Sequence, residues 1–260
     1  MTPLERVQLH LRALHLPTAA RVLPEVLALA QRDQWSLEAF VAEVLERELE
    51  GRRQSRIERL LREAHLPPDK TLTTLEPARL PLRIRRLLPG LCAGDFVDRA
   101  ENLLIFGLPG RGKTHLAAAI GHALVQHGRR VWFCPTFALV GRLLRAKRDL
   151  ELDRELRRLD RFAVVVLDDI GYVQQSREEM EVLFTFLAER YERRSVIITS
   201  NLVFSEWDRI FKDPLTTAAA IDRLVHHCSI LEFGADLPSV RAEAAAQRQR
   251  TAGADSGPPT

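Results

Sequence analysis

The sequence contains only three cysteines in 260 residues, and they lie far apart at positions 92, 134 and 228. An odd and dispersed set of thiols does not suit a disulfide framework and fits a reducing compartment. The first residues carry charges inside their apolar pattern, without the layout of a signal peptide. Because no uninterrupted apolar run approaches 18 residues, we expect no membrane association and a cytoplasmic location.

A large net charge is also lacking, since 38 Lys and Arg residues face 35 Asp and Glu residues, giving +3. This total does not by itself identify a nucleic-acid-binding protein, so the distribution of charge matters more. Hydrophobic residues make up 46% of the chain, which is enough for a buried core and excludes a disordered protein.

The first part of the chain has the apolar spacing of helices, and Thr18 and Ser36 are placed to begin the second and third helix. Residues 65–90 are rich in proline, which interrupts helices repeatedly. We therefore predict a helical N-terminal domain at residues 1–65, which contacts DNA, a partner or other subunits, and a linker at residues 66–95.

Beyond residue 100, short apolar runs alternate with helical patterns. The runs are NLLIF (102–106), RRVWFC (129–134), FAVVVLDD (162–169) and SVIITSN (195–201), and the helical patterns cover residues 113–128, 137–159, 177–193 and 205–228. Runs without polar alternation indicate strands buried on both faces of a parallel sheet. The alternation predicts an α/β domain at residues 96–250, with helices flanking the sheet, followed by a disordered tail at 251–260.

The segment GLPGRGKT fits the phosphate-loop pattern G-x-x-x-x-G-K-[ST], and it follows an apolar strand and opens a helix. Glycines let backbone N–H groups surround phosphate oxygens, and the helix N-terminus adds the positive end of its dipole. We predict that this loop holds a nucleoside triphosphate, with Lys113 on its phosphates and Thr114 on Mg²⁺. The predicted nucleotide-binding residues are Gly107, Leu108, Pro109, Gly110, Arg111, Gly112, Lys113, Thr114 and His115.

Polar residues end the next two central strands. Asp168 is predicted as a second Mg²⁺ ligand, because a phosphate-bound ion needs a carboxylate at the end of a neighbouring strand. Asp169 is placed to orient the attacking water, and Asn201 to position the same water beside the phosphate. Acids and asparagines after strands also form caps and turns, but the phosphate loop favours the catalytic interpretation.

The triplet HHC at residues 226–228 resembles a metal site in composition. Adjacent side chains diverge, however, and no second pair of ligands lies at a usable spacing in the sequence. We interpret these residues as the ordinary end of a helix.

Two basic clusters are candidates for contacts with a phosphate backbone. Residues 52–86 hold ten Lys and Arg residues against four acids, and the helix after the second strand carries Arg142, Arg145, Lys147 and Arg148. Solvated helix faces have similar charge runs, so DNA binding and plain solvation both remain open for each cluster.

The segments GLPGRGKTHLAAAIGHAL, VVVLDDIGY, IITSN, AAAIDRLVHHC and a late SVR together resemble the IstB-type ATPases, over roughly residues 4–245. These are ATP-binding helpers of bacterial insertion-sequence transposition and relatives of the DnaC-type helicase loaders. The resemblance implies an AAA+ fold, ATP as the nucleotide, and assembly of a homo-oligomeric ring or helical filament on duplex DNA with a partner transposase. It also implies an arginine finger at Arg223 and a sensor-two arginine at Arg241.

Three positions depart from the family pattern. The common AAA+ strand ending is Asp-Glu, whereas this chain has Asp168-Asp169, whose shorter side chain fits a slow ATPase that DNA or assembly stimulates. Arg111 stands where the family often has a small residue, and Val240 stands before Arg241 where an aromatic residue is usual.

The main alternative function is a helicase loader of the DnaC type, which has the same ATPase but acts with single-stranded DNA and a replicative helicase. A small-molecule kinase would need a lid and a second substrate pocket, for which the sequence has no insertion. A DNA-binding module without catalysis is disfavoured by the intact Lys113, Thr114 and Asp168.

Overall fold

The computed structural model describes residues 1–172, 176–202, 206, 224 and 226–234. The chain divides into two compact units, Met1–Arg59 and a second unit that begins at Leu60. Among the helices in the described ranges, none has both the length and the apolar character needed to cross a bilayer.

The first unit is helical. It contains α1 (Pro3–Ala13), α2 (Pro17–Arg32) and most of α3 (Leu37–Ala64). Its core consists of apolar side chains spaced along α2 and α3, namely Ala19, Val22, Leu23, Val26 and Val44. Burial of such a stripe stabilises helices that would be marginal in isolation.

A buried carboxylate, Glu48, joins α3 to the amino end of α2. It accepts hydrogen bonds from the backbone N–H of Ala19 (2.9 Å) and from Nε of Arg52 (2.7 Å). Burial by itself raises the pKa of Glu48, but these hydrogen bonds outweigh it and hold the pKa below its ordinary value. The carboxylate therefore stays ionised and caps the helix.

The second unit contains a five-stranded sheet flanked by helices. Its strands are β1 (Asn102–Gly107), β2 (Val131–Pro135), β3 (Val164–Asp168), β4 (Ser195–Ser200) and β5 (Cys228–Phe233). Its helices are α4 (Leu82–Ala93), α5 (Asp95–Asp98), α6 (Lys113–Gln126), α7 (Thr136–Arg148), α8 (Leu152–Leu159) and α9 (Arg177–Arg190), with 3-10 turns at Pro77–Arg79 and Ile170–Tyr172.

The strand order is β2-β3-β4-β1-β5, and every neighbouring pair is parallel. The central strands are almost fully buried, with Leu103, Val165 and Ile197 inaccessible to solvent. This burial confirms the predicted parallel sheet with helices on its faces. Because all strands run in one direction, their carboxyl ends meet at one edge, where β1, β3 and β4 bring their final residues together.

A buried arginine joins two strands at the opposite, amino edge. Arg190 at the end of α9 donates hydrogen bonds to the carbonyls of Leu159, Phe162 and Ser195 at 3.2, 3.0 and 3.0 Å. Burial lowers the pKa of Arg190 to about 9. The guanidinium thus holds the turns that lead into β3 and β4.

The structure corrects two expectations about secondary structure. The helix expected at residues 137–159 is two helices, because the chain turns at Leu150, which has a φ of 58°. The fifth strand, β5, was not predicted, and it begins at Cys228, the last residue of the HHC triplet, while the two histidines lie in the turn before it. The helix expected at residues 205–228 lies mostly outside the described residues.

The segment predicted as a linker has more structure than its prolines indicate. It contains α4, which includes Pro89, and it buries Leu66, Leu75 and Ile84. Two histidines of α6 hold its first part, since His115 and His122 donate through Nε2 to the carbonyls of Thr71 (3.1 Å) and Pro67 (3.0 Å). The domain boundaries predicted from the sequence remain a proposal, and the tail at 251–260 lies outside the described residues.

Candidate active site

The predicted phosphate loop connects the end of β1 to the start of α6. Gly107 and Gly112 have φ values of 150° and 95°, which favour glycine. A Cβ at Gly107 would lie 2.7 Å from Cβ of Phe233 in β5, whereas one at Gly112 would meet no atom within 4 Å. Crowding therefore requires glycine at residue 107, and backbone conformation requires it at residue 112.

Lys113 begins α6 and is only 7% exposed. Its ammonium donates hydrogen bonds to the carbonyls of Gly107 (2.7 Å) and Leu108 (3.0 Å) and to Oδ1 of Asn201 (2.7 Å). The positive charge is therefore held inside the curve of the loop, next to the end of β4.

Thr114 and Asp168 lie in direct contact. The Thr114 hydroxyl donates to both carboxylate oxygens of Asp168, at 2.9 and 3.2 Å. A second hydroxyl, that of Thr199 in β4, donates to Oδ1 of Asp168 at 2.7 Å. Hydroxyl and carboxylate oxygens are the ligands that Mg²⁺ prefers, so the pair Thr114 and Asp168 fits that ion.

Asp169 and Asn201 lie beside this pair. Asn201 donates through Nδ2 to Oδ1 of Asp169 (3.2 Å) while its own Oδ1 accepts from Lys113. The backbone N–H of Asp169 donates to the Thr199 hydroxyl at 2.8 Å, and its φ of 60° lies in the left-handed region. The asparagine thus connects the phosphate-loop lysine to the second carboxylate.

The other predicted site residues lie at different distances from this cluster. Leu108 is half exposed at the tip of the loop, and Arg111 is half-buried. The His115 ring is held against Thr71 and the Thr74 hydroxyl rather than against the loop. Arg223 and Arg241 lie outside the described residues, so their predicted roles rest on sequence.

One cysteine lies near the site but does not suit nucleophilic chemistry. Cys134 in β2 is buried, and burial raises the pKa of its thiol to about 12. A thiol with that pKa stays protonated at neutral pH and is a poor nucleophile.

The residues fit a nucleotide and its metal ion. Open space beside Gly112, the amino end of α6 and the Lys113 ammonium form an anion-binding arrangement suited to a polyphosphate. Thr114 directly follows Lys113 in the chain. Its hydroxyl oxygen lies 2.9 Å from the carboxylate of Asp168, at the end of β3. Lys113, Thr114, Asp168, Asp169 and Asn201, which the sequence predicts as site residues, are joined in one hydrogen-bonded cluster.

Thr199 is the member of this cluster that the sequence did not indicate. It lies in β4, two residues before Asn201, and a threonine there is also an ordinary strand former. Its hydroxyl accepts from the Asp169 N–H and donates to the Asp168 carboxylate, so it sets the relative position of the two acids.

We therefore expect Thr199→Val to lower the apparent Mg²⁺ affinity in ATP hydrolysis and the turnover rate by about 10- to 100-fold, the usual effect of losing a supporting hydrogen bond at a metal ligand. Valine keeps the shape but lacks the hydroxyl. Steady-state hydrolysis at varied Mg²⁺ measures the effect, and Thr199→Ser is the matched control that restores the hydrogen bonds. Parental Mg²⁺ dependence in a folded Thr199→Val protein would remove Thr199 from this role.

Comparisons with known proteins agree with this geometry. The sequence model of the family described as IstB-like ATP binding protein matches residues 9–247. An insertion sequence ATP-binding protein of Sinorhizobium fredii is 43% identical over 246 residues, 94% of this chain and 83% of that relative. The insertion sequence IS21 ATP-binding protein of Pseudomonas aeruginosa is 38% identical over 204 residues, 78% and 77% of the two chains.

Solved structures show the same fold. The DnaC helicase loader superimposes with a TM-score of 0.56 at 20% identity, over 64% of this chain and 98% of that one. DnaI superimposes with a TM-score of 0.55 at 20% identity, over 65% and 95% of the two chains. The likeness confirms the AAA+ arrangement of the second unit.

Proposed function

The chain belongs to the family of IstB-like ATP-binding proteins, and on this premise we propose that it is an ATP-controlled switch that assembles on duplex DNA and assists a partner transposase. Membership of the family makes it an AAA+ ATPase of the insertion-sequence helper type. The observation that carries the proposal is the continuous hydrogen-bonded cluster at the carboxyl edge of the sheet. The cluster comprises Lys113, Asn201, Asp169, Thr199, Asp168 and Thr114.

Each residue of the cluster has a distinct task in this proposal. When bound, ATP with Mg²⁺ would supply the phosphoanhydride bond and the ion that neutralises its developing charge. Thr114 and Asp168 would hold the ion, and Lys113 would bind the phosphates. Asp169 and Asn201 would orient the water, within hydrogen-bonding distance of each other at 3.2 Å.

Asn201 also gives the site a means of sensing the nucleotide. Its amide oxygen accepts from the Lys113 ammonium, and its amide nitrogen donates to Asp169. A phosphate in the loop competes for the same ammonium, so the hydrogen bonds of Asn201 change when the loop is filled. Loop occupancy and the position of the Asp169 carboxylate are coupled through this one side chain.

The first unit supplies the surface that we assign to the DNA backbone. Arg52, Arg56 and Arg59 recur on one face of α3 and line a cavity of about 320 Å³ with Pro17 and Thr18 at the amino end of α2. Arginine side chains favour phosphate, whereas the amino end of α2 is already capped by the Glu48 carboxylate. Arg52 is paired with Glu48, and we assign the DNA contacts to Arg56 and Arg59 on the same face of α3.

The second basic cluster is less suited to DNA, because half of it serves the fold. Arg142 pairs with Glu155 and lies over the Trp132 ring at 5.1 Å. Lys147 pairs with Glu181 at 2.8 Å. The other two members of the cluster, Arg145 and Arg148, are exposed and take no part in these contacts.

We expect duplex DNA binding to require ATP and to weaken steeply with salt, because several modestly charged subunits would sum their phosphate contacts. The logarithm of affinity should fall by about 0.9 per phosphate neutralised for each unit of log salt. Fluorescence anisotropy with a labelled duplex at several salt concentrations, with and without a slowly hydrolysed ATP analogue, measures this. Equal binding without nucleotide, or a flat salt response, contradicts the proposal.

A double substitution locates the contact surface. Arg56→Gln with Arg59→Gln should lower the salt slope by about 2 per subunit engaged, since each lost phosphate contact lowers it by about 1. The matched control is Arg32→Gln, an exposed arginine of the same unit that pairs with Asp33. An equal decrease of the salt slope in both variants would indicate a general effect of net charge and would contradict a contact surface at Arg56 and Arg59.

The alternative is a helicase loader, which the likeness to the DnaC structure keeps open at the level of the fold. The same anisotropy experiment separates the two functions. Preference for a single strand over the duplex would favour the loader.

A further inference from the structure

The structure brings together three metal-ligating side chains that are remote from the active site. Nδ1 of His226 and Nε2 of His227 lie 4.0 and 3.7 Å from the same carboxylate oxygen of Glu192. The three ligand atoms lie within 4.8 Å of one another, and the two imidazole centroids are 4.2 Å apart. Although the histidines are adjacent in sequence, their rings therefore converge.

We propose that Glu192, His226 and His227 form a zinc-type transition-metal site, with solvent as the fourth ligand. Two imidazoles and a carboxylate are a common ligand set for Zn²⁺. Metal–nitrogen distances of about 2.0 Å place tetrahedral ligand atoms about 3.3 Å apart. Each side chain is about half exposed, at 52–55%, so small rotamer changes can close the remaining gap.

One buried residue, Asn102, fixes the backbone on both sides of this site through its N–H and its side chain. Asn102 at the start of β1 donates through its N–H to the His227 carbonyl (2.8 Å) and through Nδ2 to the Leu224 carbonyl (3.3 Å). Its Oδ1 accepts from the N–H of Val196 (3.0 Å), four residues after Glu192. The chain segments that carry the ligands are thus held in place before any ion binds.

The polar groups next to this site include the Tyr191 hydroxyl and the side chains of Arg193 and Arg194. The Tyr191 hydroxyl lies 3.0 Å from Nδ1 of His226, where it competes with a metal for that nitrogen. Arg193 and Arg194 both pair with Asp160, at 3.2 and 3.8 Å.

The site lies at the amino edge of the sheet, whereas the phosphate loop lies at the carboxyl edge. Glu192 is in the turn between α9 and β4, and the histidines directly precede β5. A metal ion would therefore link the segment that precedes β5 to the segment that precedes β4, on either side of β1. It would act on stability and on the placement of β5, separately from Mg²⁺ at Asp168.

The test uses full-length protein without a polyhistidine tag, nucleotide or Mg²⁺, titrated with Zn²⁺ alone in a calorimeter. We expect one Zn²⁺ per chain and a rise in Tm of roughly 5 °C at about 100 times Kd. Co²⁺ in place of Zn²⁺ should show the visible absorption of a tetrahedral site. Absence of binding, or an octahedral Co²⁺ spectrum, overturns the proposal.

Variants tie the binding to these residues. Glu192→Gln and His227→Ala should each weaken Zn²⁺ binding at least about tenfold, and neither removes the backbone hydrogen bond to Asn102. His10→Ala, an exposed histidine of α1, and Cys228→Ser should bind Zn²⁺ like the parent. Loss of binding in Cys228→Ser, or parental binding in both ligand variants, would place the metal elsewhere and refute the site.

Discussion

Replacement of Lys113 by alanine is expected to weaken ATP binding by about 100-fold or more, because hydrogen bonds to charged groups contribute about 1.5–3 kcal/mol each and the ammonium makes at least two to a triphosphate. In the structure this ammonium is buried in the loop and already oriented by two carbonyls and Asn201. Isothermal calorimetry with ATP and Mg²⁺ measures the change.

The control for this experiment is Lys147→Ala, which removes the ammonium of α7 that pairs with Glu181 of α9. It should bind ATP like the parent. Circular dichroism on both variants separates lost binding from lost folding. Parental ATP affinity in folded Lys113→Ala protein would show that this loop does not hold the nucleotide.

Replacement of Arg223 by alanine is expected to slow ATP hydrolysis by about 1,000-fold while sparing ATP binding, which is the usual effect of removing an arginine finger. Arg223 lies outside the described residues, and the expectation rests on its place in the family motif IDRLVHH. A finger that completes the site of a neighbouring subunit requires a head-to-tail interface, which closes into rings or extends into helical filaments.

A mixture of two inactive variants tests the shared site. Arg223→Ala keeps an intact phosphate loop, and Lys113→Ala keeps an intact arginine finger. Some interfaces in the mixture therefore pair the intact loop of one variant with the intact finger of the other. Hydrolysis should partly return, and it should rise steeply with protein concentration. If the two variants co-assemble and the mixture stays inactive, Arg223 acts within its own subunit or not at all.

The central strands were predictable because burial on both faces leaves uninterrupted apolar runs. Such runs occur in β1, β3 and β4; the run of β1 leads into the phosphate loop, and those of β3 and β4 are followed by the polar residues at the carboxyl edge. β5 has a serine and a glutamate within its six residues, and that mixed pattern hid an edge strand. α4 was missed because Pro81 and Pro89 indicate loops, although Pro81 only precedes the helix and Pro89 is accommodated inside it.

Contacts that depend on the assembled sheet could not be predicted. Thr199 is indistinguishable in sequence from a threonine that merely favours a strand, and only the adjacency of β3 and β4 gives its hydroxyl two acidic neighbours. Glu192 is 34 residues from His226, and it meets that histidine because β4 and β5 both flank β1. The phosphate loop, in contrast, is local and was visible as a motif.

The left-handed backbone at Asp169 restricts what this position can become. Aspartate, asparagine and glycine adopt a φ near 60° readily, whereas β-branched residues there are strained and glutamate has less tolerance than aspartate. Asp169 is one methylene shorter than the glutamate of the usual AAA+ Asp-Glu ending. The shorter side chain therefore suits the left-handed backbone of this turn. We therefore expect a glutamate at residue 169 to be accommodated less well by this backbone than the aspartate that is present.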